Sequence, residues 1–373
     1  MKQNPLKRLA GLGQSVWYDY IRRDLYAGPE LARMIEEDGL SGMTSNPTIF
    51  QKAIAGGSLY DEDIRKAGAE GKSPAEIFEA LAVRDVQGAA DVFRPVYDAR
   101  GGDDGFVSIE VAPRLARDTQ ETIAEARRLW KKCGRPNVMV KIPGTAEGLG
   151  AIRQCLSEGI NINITLLFSV PRYHEVMDAY LSALEDRAGK GQPIDRIRSV
   201  ASFFVSRVDT NADRKIDALV KAGNAAALPL RGKLAIANAR VAYEAFEEVF
   251  GGARFAALKL KGAALQRPLW ASTSTKDPAY PDLYYVEALV APTSVDTMPP
   301  ETFEAYRDHG DPKVRIHEDL PGAHGVFRAL DGMGIDADAI SRELEEEGVQ
   351  KFSDSFDALL KSVGEKERAM RVA

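Results

Sequence analysis

Short runs of β-branched and aromatic residues alternate along the chain with longer stretches in which apolar residues recur at three- and four-residue spacing. The short runs predict strands and the longer ones amphipathic helices, because side chains repeat every second residue in a strand and every ~3.6 residues in a helix. Strands are expected at SVWYD (15–19), LSGMT (40–44), FVSIEV (106–111), NVMVKI (137–142), INITLLF (162–168), RSVASFFVS (198–206), PLWAST (268–273) and TSVDTM (293–298). Helices are expected between them. LARDTQETIAEARRLWKKCG (115–134) opens on Asp and Thr and closes on lysines and glycine, while SVPRYHEVMDAYLSALEDRAGKG (169–191) offers a serine N-cap and an early proline. This alternation predicts an α/β chain folded as a (β/α)8 TIM barrel, a closed parallel sheet inside a ring of helices.

Two segments exceed that plan. Residues 47–105, between the second and third strands, are too long for one crossover and should add two or three helices. After Met298, DADAISRELEEEGVQKFSDSFDALLKSV carries Ile340, Leu344, Phe352, Phe356, Leu359 and Leu360 at helical spacing, which suits helices packed on the barrel. The chain is therefore read as a single unit, 1–373, with a barrel core over about 12–300 and a helical extension over 301–373.

Strand parity then sorts the polar residues. In ININITLLF, Ile160, Ile162, Ile164 and Leu166 share one face, and Asn161, Asn163 and Thr165 the other. Helices cover the apolar face, so the polar set should enter the barrel. The same rule turns Ser108 and Glu110 of FVSIEV inward, Lys141 of NVMVKI inward, and Asp19 of SVWYD inward with Trp17. Four polar positions, one from each of these strands and among them Glu110, Lys141 and Asp19, fall towards the carboxyl ends, the rim where this architecture places active sites. Parity leaves two readings open: a buried structural ion pair, or an amine and carboxylates that do chemistry.

Composition narrows the classes. Lysine and arginine number 49 against 55 acidic residues, and no basic run supplies a nucleic-acid footprint. Two cysteines, Cys133 and Cys155, have neither CxxC spacing nor a histidine partner, so inert thiols in a reducing compartment are expected. No run of eighteen apolar residues and no signal-type leader occurs, and the expected location is the cytoplasm, away from membranes. There is no GxGxxG after a strand and no HExxH, so neither a cofactor nor a metal is expected. PGTAEGLG (143–150) lacks the ending of a phosphate loop and reads as a helix start or a plain turn.

The ordered blocks SVWYD, GMTSNPTIFQKAI, VSIEVAPRLARDT, VMVKIPGTAEGLGAI, ININITLLFSVPRYHEV, ASFFVSRVDT, RPLWASTSTKD and TSVDTMP, from near residue 11 to about 300, closely resemble the transaldolases. The extended carboxyl-terminal region resembles that of their longer bacterial subfamily. The resemblance implies a Schiff-base lysine on the fourth strand, Lys141, with Asp19 as acid/base and Glu110 with Thr165 handling water and protons. It assigns Asn46 and Asn163 to the dihydroxyacetone fragment, Ser202 to substrate contact and Arg207 to the sugar phosphate. One departure stands out. Shorter members place a serine and then an arginine after the seventh strand, whereas ASTSTKD offers Ser272 without the arginine, leaving Lys276 or Arg267 as substitutes.

The implied partners are phosphorylated ketoses and aldoses, interconverted in the non-oxidative pentose phosphate pathway. Two other classes stay open at this point: an aldolase releasing free dihydroxyacetone, and a non-catalytic barrel that binds sugar phosphates. The oligomeric state is open as well, a homodimer included.

Overall fold

Eight parallel strands close into a ring in the computed structural model, which describes residues 4–372. They are β1 (Gln14–Asp19), β2 (Leu40–Thr44), β3 (Phe106–Glu110), β4 (Val138–Pro143), β5 (Ile162–Leu167), β6 (Ser199–Phe204), β7 (Gln266–Ala271) and β8 (Ser294–Met298). Each pairs with the next, and β8 pairs with β1 from Gln14 opposite Ser294 to Tyr18 opposite Met298, so no edge is left exposed. The expected strands are all present. The expected single unit 1–373 extends beyond the described residues at positions 1–3 and 373.

Helix boundaries follow the chemistry of their ends. The helix Thr119–Cys133 is capped by the Asp118 carboxylate and ends at Gly134 in the left-handed conformation (φ 57°). Val170–Gly189 has Ser169 as its N-cap and a proline in its first turn. The turn in PGTAEGLG is structural: Thr145 caps Ala146–Glu158 by accepting from the Gly148 amide at 3.0 Å. The 47–105 insertion forms three helices, Pro47–Ala55, Asp61–Ala69 and Pro74–Ala99. The tail forms Pro300–His309, Leu320–Asp331 and the long helix Ala337–Val372, which packs on all three insertion helices.

The amino-terminal end of the barrel is plugged. Trp17 fills the interior against Phe106 (6.4 Å between ring centres) and donates its indole N–H to Asp104 at 2.8 Å. Ser15 also donates to Asp104, and Arg267 reaches Ser15 (2.7 Å), the Asp103 carbonyl (3.0 Å) and the Asp104 carboxylate (3.5 Å). Gly42 on β2 makes room for the indole, since a Cβ there would lie 2.4 Å from a Trp17 ring carbon.

Two local expectations need correction. β7 starts at Gln266, two residues before the predicted boundary; the Gln266 amide donates to Ser199 at 3.0 Å and ties the extra residues into the sheet. Leu166 does not continue the outward parity of Ile162 and Ile164. The register with β6 slips between Ile164 and Leu167, Leu166 takes φ 58°, and its side chain packs under the long carboxyl-terminal helix at Gly348. No helix among the described residues is long and apolar enough to cross a membrane. Both cysteines are buried, and burial pushes each thiol up to about 12.

Gly42→Ala should destabilise the protein by about 1–3 kcal/mol, the usual range for overpacking a core. Urea unfolding checks this, and an unchanged midpoint would show that Trp17 can shift at no cost.

Candidate active site

Val138, Val140 and Ile142 of β4 are fully buried on the helix side, which sends Lys141 into the lumen. Ladder pairing sets Glu110 of β3 on one side of Lys141 and Asn163 of β5 on the other. The Lys141 ammonium donates to the Ser45 carbonyl at 3.1 Å and lies 3.6 Å from Glu110 Oε2. Both side chains are nearly enclosed, 7% and 6% exposed. Neither Glu110 oxygen accepts a hydrogen bond, and burial drives this carboxyl above the ordinary range, with the Lys141 charge opposing.

Asp19 ends β1 on the same rim. Burial raises its carboxyl too, against the Lys141 charge and a 2.7 Å hydrogen bond donated by Thr44. A further 2.7 Å bond joins Thr44 to Thr297, so the hydroxyls of β2 and β8 form a chain ending on Asp19. Asn46 caps the helix Pro47–Ala55 with its side-chain oxygen, accepting from Ile49 N–H at 3.0 Å. Its amide N–H groups make no hydrogen bond among the described residues and remain available to a ligand.

One pocket of about 680 Å³, measured out to its open mouth, gathers Asp19, Asn46, Lys141, Thr165, Ser202, Arg207, Ser272 and Lys276. The buried Thr165 hydroxyl has no partner. Ser272 lies just past the end of β7 at φ 57°, its hydroxyl 3.0 Å from that of Ser206. Lys276 is exposed at the rim and donates to Ser274 at 2.6 Å. Glu110 sits beside Lys141 yet borders a neighbouring cleft walled by Phe50, Phe78 and Phe356. Asn163 lies beneath the pocket floor, donating to Ser108 (3.0 Å) and accepting from Ser202 (2.7 Å). A ligand entering the pocket would therefore meet Ser202 before Asn163.

Arg267 is not part of this site. It belongs to the plug at the opposite end of the barrel, bonded to Ser15, Asp103 and Asp104. The two-residue shift of β7 is the reason: Arg267 becomes an inward residue at the strand's amino end. Among the described residues, no group of three or more His, Cys, Asp or Glu side chains is placed to hold a metal ion.

The family described as Transaldolase/Fructose-6-phosphate aldolase matches residues 16–363. The chain belongs to the transaldolase family. It is 48% identical to a transaldolase of Frankia alni over 365 residues, covering 97% of both chains. It is 49% identical to one of Thermobifida fusca, covering 97% of this chain and 98% of that one. A transaldolase of Trichodesmium erythraeum is 45% identical over 98% of each. The activity is accordingly of the transaldolase type, carried by an enzyme.

Several pocket residues escaped the sequence reading. Thr44 and Thr297 both fall near carboxyl ends of predicted strands, LSGMT and TSVDTM, where each face mixes polar and apolar residues, so that position along the strand is their only signal. Phe204 shares the parity of Ser202 on β6, but an apolar side chain gives no inward signal by that rule. Phe352 carries none, because its approach to the pocket depends on how a distant helix docks.

Behind the rim, Asp296 of β8 accepts from Thr273, the neighbour of Ser272, at 3.0 Å, and burial pushes its carboxyl up to about 7 from an ordinary 3.8. The folded protein therefore holds a proton there that the unfolded chain has lost, and stability falls as pH rises from about 4 to about 7. Asp296→Asn, unable to ionise, should lose that part of the slope and gain roughly 1–3 kcal/mol on the native protein between pH 5 and pH 8. Urea unfolding at the two pH values tests this; parallel pH dependence in both proteins would refute it.

Proposed function

We propose that this pocket moves a dihydroxyacetone unit from a ketose phosphate, sedoheptulose 7-phosphate or fructose 6-phosphate, to an aldose phosphate, glyceraldehyde 3-phosphate or erythrose 4-phosphate, through an imine on Lys141. The observation that carries the reading is one enclosed ammonium beside a carboxyl, Glu110, that has no hydrogen-bond partner of its own. A purely structural ion pair would be expected to saturate its oxygens.

The amine attacks only after losing a proton. Glu110, whose upward shift favours the protonated form, is placed to exchange that proton and to pass one to the carbinolamine hydroxyl as it leaves as water. The unpartnered Thr165 hydroxyl can hold that water. The resulting cationic imine accepts the electron pair of the C3–C4 bond while Asp19 takes the proton of the C4 hydroxyl, with the Thr297 and Thr44 hydroxyls supporting its negative charge. The aldose phosphate departs and an enamine remains on Lys141. Addition of the enamine to the second aldehyde reverses the proton transfers, and water then releases the product ketose from the lysine.

Asn46 and Ser202 supply neutral donors for the hydroxyls of the three-carbon fragment, with Asn163 orienting Ser202 from below. Arg207, Ser272 and Lys276 form the anion end. Lys276, already directed at Ser274 on the rim, takes the place of the missing arginine. An ammonium there offers a point charge in place of a planar fork.

Borohydride reduction in the presence of fructose 6-phosphate should attach a three-carbon adduct to Lys141, located by peptide mass analysis. Lys141→Ala should lose the adduct and at least ~10³-fold of the activity; an active variant would end the proposal. Asp19→Ala should still form adduct but turn over about 10²–10⁴-fold more slowly. Dominant release of free dihydroxyacetone with erythrose 4-phosphate present would instead assign aldolase chemistry.

Lys276→Ala should raise KM for the phosphorylated donor by ~10-fold while leaving kcat within ~3-fold, the loss expected for one charge-assisted contact. An unchanged KM would remove Lys276 from the anion end.

A further inference from the structure

Arg207, just inside the helix Ser206–Lys221 that follows β6, holds its guanidinium in an unusual setting for a half-buried cation. Among the described residues it makes no hydrogen bond and no ion pair. Its carbon instead lies over two aromatic rings, 5.4 Å from the centre of Phe204 and 6.0 Å from that of Phe352. Phe204 comes from the barrel, at the end of β6. Phe352 comes from the long carboxyl-terminal helix, nearly 150 residues away in sequence, is 6% exposed, and borders the same pocket as Lys141 and Ser272.

The helix is fixed on both sides of that contact. One turn before Phe352, Gly348 lies so close to Leu166 that a Cβ would sit 2.9 Å from its methyl group. One turn after, Ser355 meets the Thr48 hydroxyl at 2.9 Å, and the Phe356 ring stands edge-on to Phe78 at 5.7 Å. The position of Phe352 is thus set by neighbours of Asn46 and of Thr165, residues of the pocket itself.

We propose that Phe352 is a positioning residue for substrate phosphate: its ring holds the face of the Arg207 guanidinium so that the N–H edge stays free for the anion. The proposal rests on the reading of Arg207 as a phosphate ligand and extends that site to the carboxyl-terminal extension. A guanidinium binds rings through its faces and oxyanions through its edge, so stacking fixes its plane without consuming donors. Two carboxylates, Glu347 and Asp19, act on Arg207 electrostatically without bonding it. With the ring removed, the half-buried cation is free to turn towards either of them, and the phosphate loses its fork.

The test compares Phe352→Leu, Phe352→Met and Phe352→Tyr in the full-length protein, using fructose 6-phosphate turnover and calorimetric binding of inorganic phosphate. The leucine and methionine variants should raise KM and the phosphate Kd together, by ~5- to 20-fold, with kcat within ~3-fold; the tyrosine variant should restore both. In an Arg207→Ala background Phe352→Leu should add nothing further. The methionine variant answers the same question if the leucine variant does not fold.

Unchanged phosphate binding, additive effects in the Arg207→Ala background, or a loss confined to kcat and thermal stability would overturn the proposal. Phosphate binding is read without turnover. Failure to trap an adduct on Lys141 would therefore count against the transfer chemistry alone, and an intact phosphate Kd in Phe352→Leu against this inference alone.

Discussion

An ammonium inside a barrel lumen has to be compensated or it unfolds its surroundings, and that constraint organises this molecule. Lys141 has a carbonyl at 3.1 Å and a carboxyl at 3.6 Å, and little else. Both nearby acids, Asp19 and Glu110, are pushed by burial towards their neutral forms. The interior therefore sets one amine beside two carboxyls whose protonated forms burial favours. This suits a reaction in which protons must come on and off oxygen and nitrogen at successive steps.

The plug at the amino end and the pocket at the carboxyl end treat their own polar side chains differently. At the amino end, Ser15, Trp17, Asp104 and Arg267 bond one another and fill the lumen. At the carboxyl end, Thr165, both oxygens of Glu110 and the amide N–H groups of Asn46 are left without partners. The plug residues satisfy one another, whereas polar groups beside Lys141 keep bonding capacity that a ligand can use. This difference separates Arg267 from Arg207, two inward-reaching arginines that composition alone cannot tell apart.

The elements outside the barrel also bear on the chemistry. The insertion helix Pro47–Ala55 is capped by Asn46, so a capping requirement falls on a side chain that also lines the pocket. The long carboxyl-terminal helix lies against that insertion and delivers Phe352 to the pocket. Its close approach depends on Gly348, which lacks the side chain that would strike Leu166. The left-handed backbone at Leu166 and Ser272 lies in a region that costs non-glycine residues on the order of 1–3 kcal/mol, and both occur where a strand gives way to the rim.

The sequence by itself determined the alternation of strands and helices, the inward set Asp19, Glu110, Lys141 and Thr165, and the helix caps at Asp118 and Ser169, because each depends on residues a few positions apart. Period-two parity is a local property, and it held wherever the strands ran regularly. It failed at Leu166, where a register slip reverses the face; Arg267, a candidate only through the resemblance, lies at the amino end of β7, which starts two residues earlier than expected. Only the tertiary structure decided that Asn163 lies beneath the floor, that Glu110 borders a second cleft, and that Phe352 meets Arg207. Those facts follow from the docking of segments distant in the chain, which no short-range pattern of residues encodes.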